Sequence, residues 1–157
     1  MTESTPLFAD REALLSMSGL DFMTAFAEGR FVGATMATTM GFAVDSVAEG
    51  RVTFAGAPTA AVFNPMGTVH GRWYGTILDG AMGCAVMTLV PAGSVYTTLE
   101  YKINITRAIP LGAEVEAVAT VQHSGRSTAV ASAELRGRAD GKLYATGSTT
   151  CIIMKMK

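Results

Sequence analysis

The chain has 157 residues, 49% of them apolar, and a formal net charge of −1, which implies one domain with a sizeable core and excludes disorder. It carries no basic stripe and no zinc-ligand spacing, so nucleic acid is excluded as a partner. No stretch of about 18 apolar residues runs uninterrupted, so no membrane span is expected. The start MTESTPLFADREALL has neither a basic n-region nor an apolar h-region, and no signal peptide is expected. Cys84 and Cys151 lie far apart, each in an apolar run, and read as free buried thiols of a cytoplasmic protein. His70 and His123 are too distant in sequence to suggest a metal site, and no metal is expected.

No repeat, low-complexity tract or linker divides the chain. DREALLSMSGLDFMTAFAEGR (10–30) has helical spacing, with Leu14, Leu15, Phe22, Met23 and Phe26 as its apolar positions and Gly19 as a candidate break. Residues 36–58, MATTMGFAVDSVAEGRVTFAGAP, read as two strands joined near Glu49-Gly50. TAAVFNPMGT is a loop with Asn64-Pro65 as its turn signal. From residue 70 to about 89 the apolar positions Ile77, Leu78, Ala81, Met82, Ala85, Val86 and Leu89 fall at spacings of three and four, which predicts one helix.

The period then changes to two. TTLEYKINIT alternates with Leu99, Tyr101, Ile103 and Ile105 on one face and Glu100, Lys102 and Asn104 on the other. AEVEAVATVQ and RSTAVASAELRGR alternate on either side of a turn at HSGR. ADGK signals a hairpin into a last strand, LYATGSTTCIIMK. The predicted order is helix, two strands, a long helix and four strands in a meander: an α+β domain whose antiparallel sheet covers the helix.

That helix is unusual. Gly71, Gly75, Gly80 and Gly83 each cost about 1 kcal/mol against alanine in a helix interior. Close packing under a sheet explains them, because a helix enclosed by a sheet is apolar nearly all round. Asp79, inside TILDGAMGCAVMTLV, is not explained that way, since an unpaired buried charge is expensive. Function, capping and structural pairing all remain open for it. His70 and Asp79 are nine residues apart, ~900° at ~100° per residue, and so point to opposite sides of the helix. If both ends serve one site, two chains must contribute.

NPMGTVHG followed by TILDGAMG resembles the hotdog-fold acyl-CoA thioesterases of the phenylacetate-pathway and 4-hydroxybenzoyl-CoA type, whose pattern is roughly N-x-x-G-x-x-H-G-G with a carboxylate nine positions after the histidine. Asn64, Gly67, His70, Gly71 and Asp79 fall in register, the strands TTLEYKINITRAIP, VQHSGRSTAVASAEL and DGKLYATGSTT look like the family's, and the resemblance covers about residues 40 to 153. The resemblance implies a single hotdog domain spanning 1–157, with about six antiparallel strands wrapped around one long central helix. A helical extension would span about 7–30 and the hotdog core about 36–155.

The resemblance also implies acyl-CoA as substrate, no cofactor, and an active site at a dimer interface. That agrees with the opposed faces of His70 and Asp79. A homodimer at least is expected, and a homotetramer as a dimer of dimers, in line with the high apolar content. By the same resemblance Asp79 is the general base or nucleophile, and the Gly71 N–H of the other chain polarises the thioester carbonyl. Asn64 positions the thioester or the water, and Thr98 matches a hydroxyl that assists in some relatives. Strict alternation places Thr98 opposite the Leu99 face. His70 mostly shapes the turn into the helix beside the substrate, and His123 is an edge or loop residue. Gly125, Arg126 and Ser127 of HSGRS form a turn where N–H groups and a guanidinium can meet CoA phosphates.

Two departures stand out. The family's second glycine after the histidine is Arg72 here, followed by Trp73 and Tyr74. Arg72 is expected to narrow the acyl pocket or contact the pantetheine arm, or else to pack with Trp73 at a subunit interface. Gly83, one turn after Asp79, stands where some relatives carry a hydroxyl that steadies the water or the carboxylate. The expected activity is hydrolysis of an acyl-CoA thioester, and the alternatives are a non-hydrolytic acyl-CoA-binding module or a hotdog hydratase.

Overall fold

The computed structural model describes residues 11–31 and 33–156. Three short helices, α1 (Arg11–Ser16), α2 (Gly19–Ala27) and α3 (Thr35–Met40), precede β1 (Phe42–Ala48) and β2 (Arg51–Gly56). A 3-10 turn at Ala60–Val62 leads to α4 (Gly71–Met87), and β3 (Ser94–Ile105), β4 (Val115–Ser124), β5 (Thr128–Gly137) and β6 (Leu143–Lys155) follow. The expected N-terminal extension begins at about residue 7, and its residues 7–10 lie outside the described residues.

The strands form one antiparallel sheet in the order β1-β2-β4-β5-β6-β3, and α4 packs against all six. This is the expected α+β fold, a sheet around a long helix. The meander is confined to β4, β5 and β6. β3 lies at the far edge beside β6, and β4 pairs with β2 instead. Alternation reveals which face of a strand is buried, but not which strand lies beside it.

The stretch 36–40, expected to open a strand, is instead the end of α3, which stops at Gly41 with φ 76°. So short an apolar run fits either period. The expected break near Gly19 is present: Ser18 Oγ accepts the Asp21 N–H at 3.1 Å and starts α2 as a separate helix. The Gly19 N–H donates to the Val90 carbonyl at 2.9 Å. A side chain at 19 would overlap the Met87 carbonyl, so glycine is what lets α2 dock on the C-terminal end of α4.

α4 is buried on most sides, through Trp73, Ile77, Leu78, Ala81, Met82, Ala85 and Val86 among others. Its glycines receive the sheet: Gly75 lies under Tyr101 and Ile103, and Gly80 under Phe54. Trp73 is wholly buried in its own chain, edge-on to Phe42 and Tyr74, with Nε1–H donating to the Met40 carbonyl at 2.8 Å. That placement rules out the alternative of Trp73 packing at a subunit interface. Beyond its first residue Gly71, the less buried positions of α4 are Arg72, Thr76, Asp79, Gly80 and Cys84. Their spacing of three and four puts them on one stripe of the helix.

Candidate active site

Asp79 stands on that stripe at the middle of α4, half-buried. Thr98 on β3 donates its hydroxyl to Asp79 Oδ1 at 3.1 Å. A β-bulge between Thr98 and Glu100 makes this contact possible. The bulge absorbs Leu99, which projects with 58% of its surface exposed. Thr98 thereby shares the helix-facing side with Tyr101 and Ile103, whereas strict alternation had put Leu99 on their face and Thr98 opposite it. An extra residue in one strand reverses the parity of everything after it.

A cleft of about 490 Å³ opens over the carboxylate. Its walls include Phe26, Phe31 and Met36 from the α2–α3 segment, and Phe42, Phe54 and Tyr96 from the sheet. Asp79 is the one charged side chain among its described lining residues. Burial raises the Asp79 pKa above its ordinary value, and the Thr98 hydrogen bond partly opposes that rise. Cys84 also lines the cleft. Burial, with the Asp79 charge adding, pushes its thiol up to about 12, so it stays protonated at neutral pH and is not a nucleophile. A second hollow, of about 530 Å³ between Arg51, Glu134 and Arg136, shares no residue with this cleft.

The other predicted site residues lie elsewhere in the same chain. His70 caps α4, its Nδ1 accepting the Arg72 N–H at 3.0 Å. This agrees with a turn-shaping role. The His70 and Trp73 N–H groups donate to the carbonyls of Val62 and His70. The Gly71 N–H, the first of the helix, has no partner among the described residues. Gly71 and Asp79 are eight residues apart, about 12 Å along the helix axis. One chain therefore cannot bring that N–H to the Asp79 cleft.

The Asn64 side chain is committed to its loop: Oδ1 accepts the Met66 and Thr68 N–H groups, and Nδ2 donates to Thr68 Oγ1 at 2.8 Å. Arg72 is exposed and, with His70, borders a separate hollow against Met40 and Phe63. His123 is an exposed residue near the end of β4, beside a bulge. Gly125, Arg126 and Ser127 form the exposed β4–β5 turn, where the Gly125 N–H is already taken by the Thr128 carbonyl at 2.8 Å. The Ser127 carbonyl accepts the Ile153 N–H, and Ile153 is paired with Tyr96. That turn therefore lies across β6 from the Tyr96 end of the cleft.

Tyr96 and the aromatic wall from residues 26–36 were not singled out by sequence reasoning. Tyr96 carried one usable signal, its position two residues before Thr98 on the same strand. No group of three His, Cys, Asp or Glu among the described residues is placed to hold a metal ion. No helix among them is long and apolar enough to cross a membrane.

A long, glycine-bearing helix cradled by a six-stranded antiparallel sheet, with a half-buried carboxylate under an apolar cleft, defines a hotdog-fold domain. The sequence pattern of the Thioesterase superfamily matches residues 66–144, which takes in α4 and Asp79. The chain belongs to the thioesterase superfamily and is a thioester hydrolase. Among solved structures it is similar to a conserved protein of Pseudomonas aeruginosa, at 31% identity and a TM-score of 0.72, covering 78% of this chain and 95% of that one. It is also similar to the phenylacetic acid degradation protein of Thermus thermophilus, in a mutant form, at 28% identity and a TM-score of 0.69 (75% and 97% covered). A phenylacetic acid degradation-related protein of Ralstonia eutropha is 26% identical with a TM-score of 0.76 (83% and 98% covered). A comparison with functionally curated proteins finds no significant match.

Proposed function

We propose that the protein hydrolyses acyl-CoA thioesters carrying an uncharged, apolar acyl group, acting in the cytoplasm as a single hotdog domain with N-terminal helices. The observation that carries this reading is Asp79, held by Thr98 at the floor of an apolar cleft with no other charge in its described lining. A carboxylate there can take a proton from water, and apolar walls favour an acyl group without charge.

In the proposed reaction, a water oxygen attacks the thioester carbonyl carbon while Asp79 takes its proton. The Gly71 N–H of a second copy stabilises the resulting oxyanion, since a first-turn N–H is unpaired and carries partial positive charge. The intermediate collapses, the C–S bond breaks, and the proton held by Asp79 passes to the departing thiolate. Asn64 of that second copy keeps the loop before Gly71 in shape, and Arg72 and His70 sit beside the same helix start. Support for a second copy comes from the ~12 Å between Gly71 and Asp79. Further support comes from β3, a sheet-edge strand exposing Leu99, Tyr101 and Ile105. The assembly is a homodimer, and a dimer of dimers is the proposed tetramer.

Free-thiol release from a panel of CoA thioesters tests the reading. Apolar acyl groups, aliphatic or aromatic, are expected to turn over at least about tenfold faster than acyl groups ending in a carboxylate, whose desolvation beside Asp79 is unfavourable. Binding without thiol release would instead define an acyl-CoA-binding module.

The Arg126 turn is proposed to grip the CoA phosphates. Arg126→Ala is then expected to raise KM for acyl-CoA with kcat nearly unchanged, because that contact is equal in ground and transition states. A truncated thioester without the nucleotide should be unaffected. Equal increases for both substrates would mean that the arginine acts through structure.

A further inference from the structure

We propose that the Tyr96 hydroxyl, seated over Gly83 next to the Asp79–Thr98 pair, holds the attacking water together with Asp79. The proposal rests on the thioesterase reading above and adds a residue to its site.

Two pairs of positions meet face to face. On β3, Tyr96 and Thr98 are two residues apart and share the helix-facing side, about 6–7 Å from each other along the strand. On α4, Gly83 and Asp79 are one turn apart, about 5–6 Å between neighbouring positions of the helix surface. Thr98 meets Asp79 at 3.1 Å. Tyr96 meets Gly83 so closely that a β-carbon at 83 would lie 2.6 Å from the phenol oxygen. The phenol thus occupies the space that any side chain at position 83 would need.

The Tyr96 oxygen has no hydrogen-bond partner among the described residues, and no side-chain polar atom sealed from solvent among them lacks one. The phenol oxygen is therefore open to the cleft, which Tyr96, Asp79 and Thr98 line together. Burial raises the Tyr96 pKa well above 10, with the Asp79 charge adding to the effect, so the group stays neutral. The Thr98 proton is already committed to Oδ1 of Asp79, which leaves Oδ2 and the phenol oxygen to hold a water between them. That water gives one hydrogen to Oδ2 and the other to Tyr96. Its lone pair is then free for the carbonyl carbon, and its proton goes to Asp79 as the C–O bond forms. Tyr96 keeps its own proton throughout. Glycine at 83 is what admits the phenol, so the pair supplies from the strand a hydroxyl that the helix lacks.

The test is Tyr96→Phe, which keeps the ring and removes the oxygen. Loss of the second hold on the water is expected to lower kcat at least about tenfold with KM and melting temperature unchanged. In an Asp79→Asn background the same change should add nothing, because both groups act on one water. In the Tyr96→Ala, Gly83→Ser double variant, which returns a hydroxyl from the helix, part of the rate lost in Tyr96→Ala should come back. A Tyr96→Phe enzyme within about twofold of wild type would overturn the role given to Tyr96 and leave the thioesterase reading standing. A wild-type protein that releases thiol from no acyl-CoA would overturn both.

Discussion

Asp79→Asn is expected to lower kcat for thioester hydrolysis by about 10²–10⁴, the usual loss when a general base is removed, while the fold survives. The substitution is nearly isosteric, and the Thr98 hydroxyl can still donate to the amide oxygen as it does to Oδ1. What disappears is the ability to take a proton from water. Single-turnover and steady-state rates, with a thermal melt as control, check this. A variant with near wild-type kcat would remove Asp79 from the mechanism. The pH profile gives an independent reading of the same group. Burial raises the Asp79 pKa above its ordinary 3.8, so kcat should fall on the acid side through that raised value, and the variant's residual rate should lose this limb. The sign for stability is opposite to that of a salt-bridged carboxylate. A folded-state pKa above the unfolded one stabilises the fold at low pH, and that contribution is lost as pH rises through the folded value. At neutral pH the ionised Asp79 is therefore a burden on the fold, and Asp79→Asn should melt no lower than wild type.

Gly71→Pro is expected to lower kcat by about 10²–10³, the loss typical of removing one oxyanion donor, with little loss of stability. Proline lacks the N–H and nothing else that the position needs. Gly71 is the first residue of α4, where proline's fixed φ suits the helix. His70 before it is extended, at φ −64° and ψ 138°, as the residue preceding proline must be. The deleted N–H has no partner within the described chain, so no intramolecular hydrogen bond is lost. Gly71→Ala, which keeps the N–H and brings a methyl to 3.4 Å from Ile105, should be far more active than Gly71→Pro. Similar rates for the two would assign the effect to packing.

Much of this arrangement is visible in the sequence because it violates local rules. A charge and four glycines inside one apolar helix ask for an explanation: the helical period accounts for the glycines as close packing, whereas for Asp79 it leaves function, capping and structural pairing open, and only the resemblance carried by NPMGTVHG and TILDGAMG points to a site there. The parity of β3 was not legible: the bulge at Leu99 leaves no mark in an otherwise regular alternation, yet it decides whether Thr98 faces Asp79 or solvent. The neighbour of β3 was equally hidden, because pairing with β6 depends on where the chain from Thr106 to Glu114 crosses, not on the pattern of either strand. The cleft wall from Phe26, Phe31 and Met36 depends on how α2 docks at Gly19. The α3 segment was hidden too, since MATTM suits a strand as well as a helix. Trp73 beside Arg72 suggests an exposed interface in the sequence, whereas its indole is spent on the chain's own core.

Asp79 of one chain and the Gly71 N–H of another are proposed to form each site, and subunit complementation tests this directly. The Asp79→Asn and Gly71→Pro chains, each nearly inactive alone, are co-expressed or dissociated and reassembled at equal amounts. In a mixed dimer one site carries both lesions and the other carries neither. Random association then restores roughly a quarter of the wild-type sites, and with them about a quarter of the wild-type kcat per chain. A mixture no more active than the two variants measured apart, under conditions where mixed dimers are demonstrated, would place both groups of a site in one chain and contradict the account.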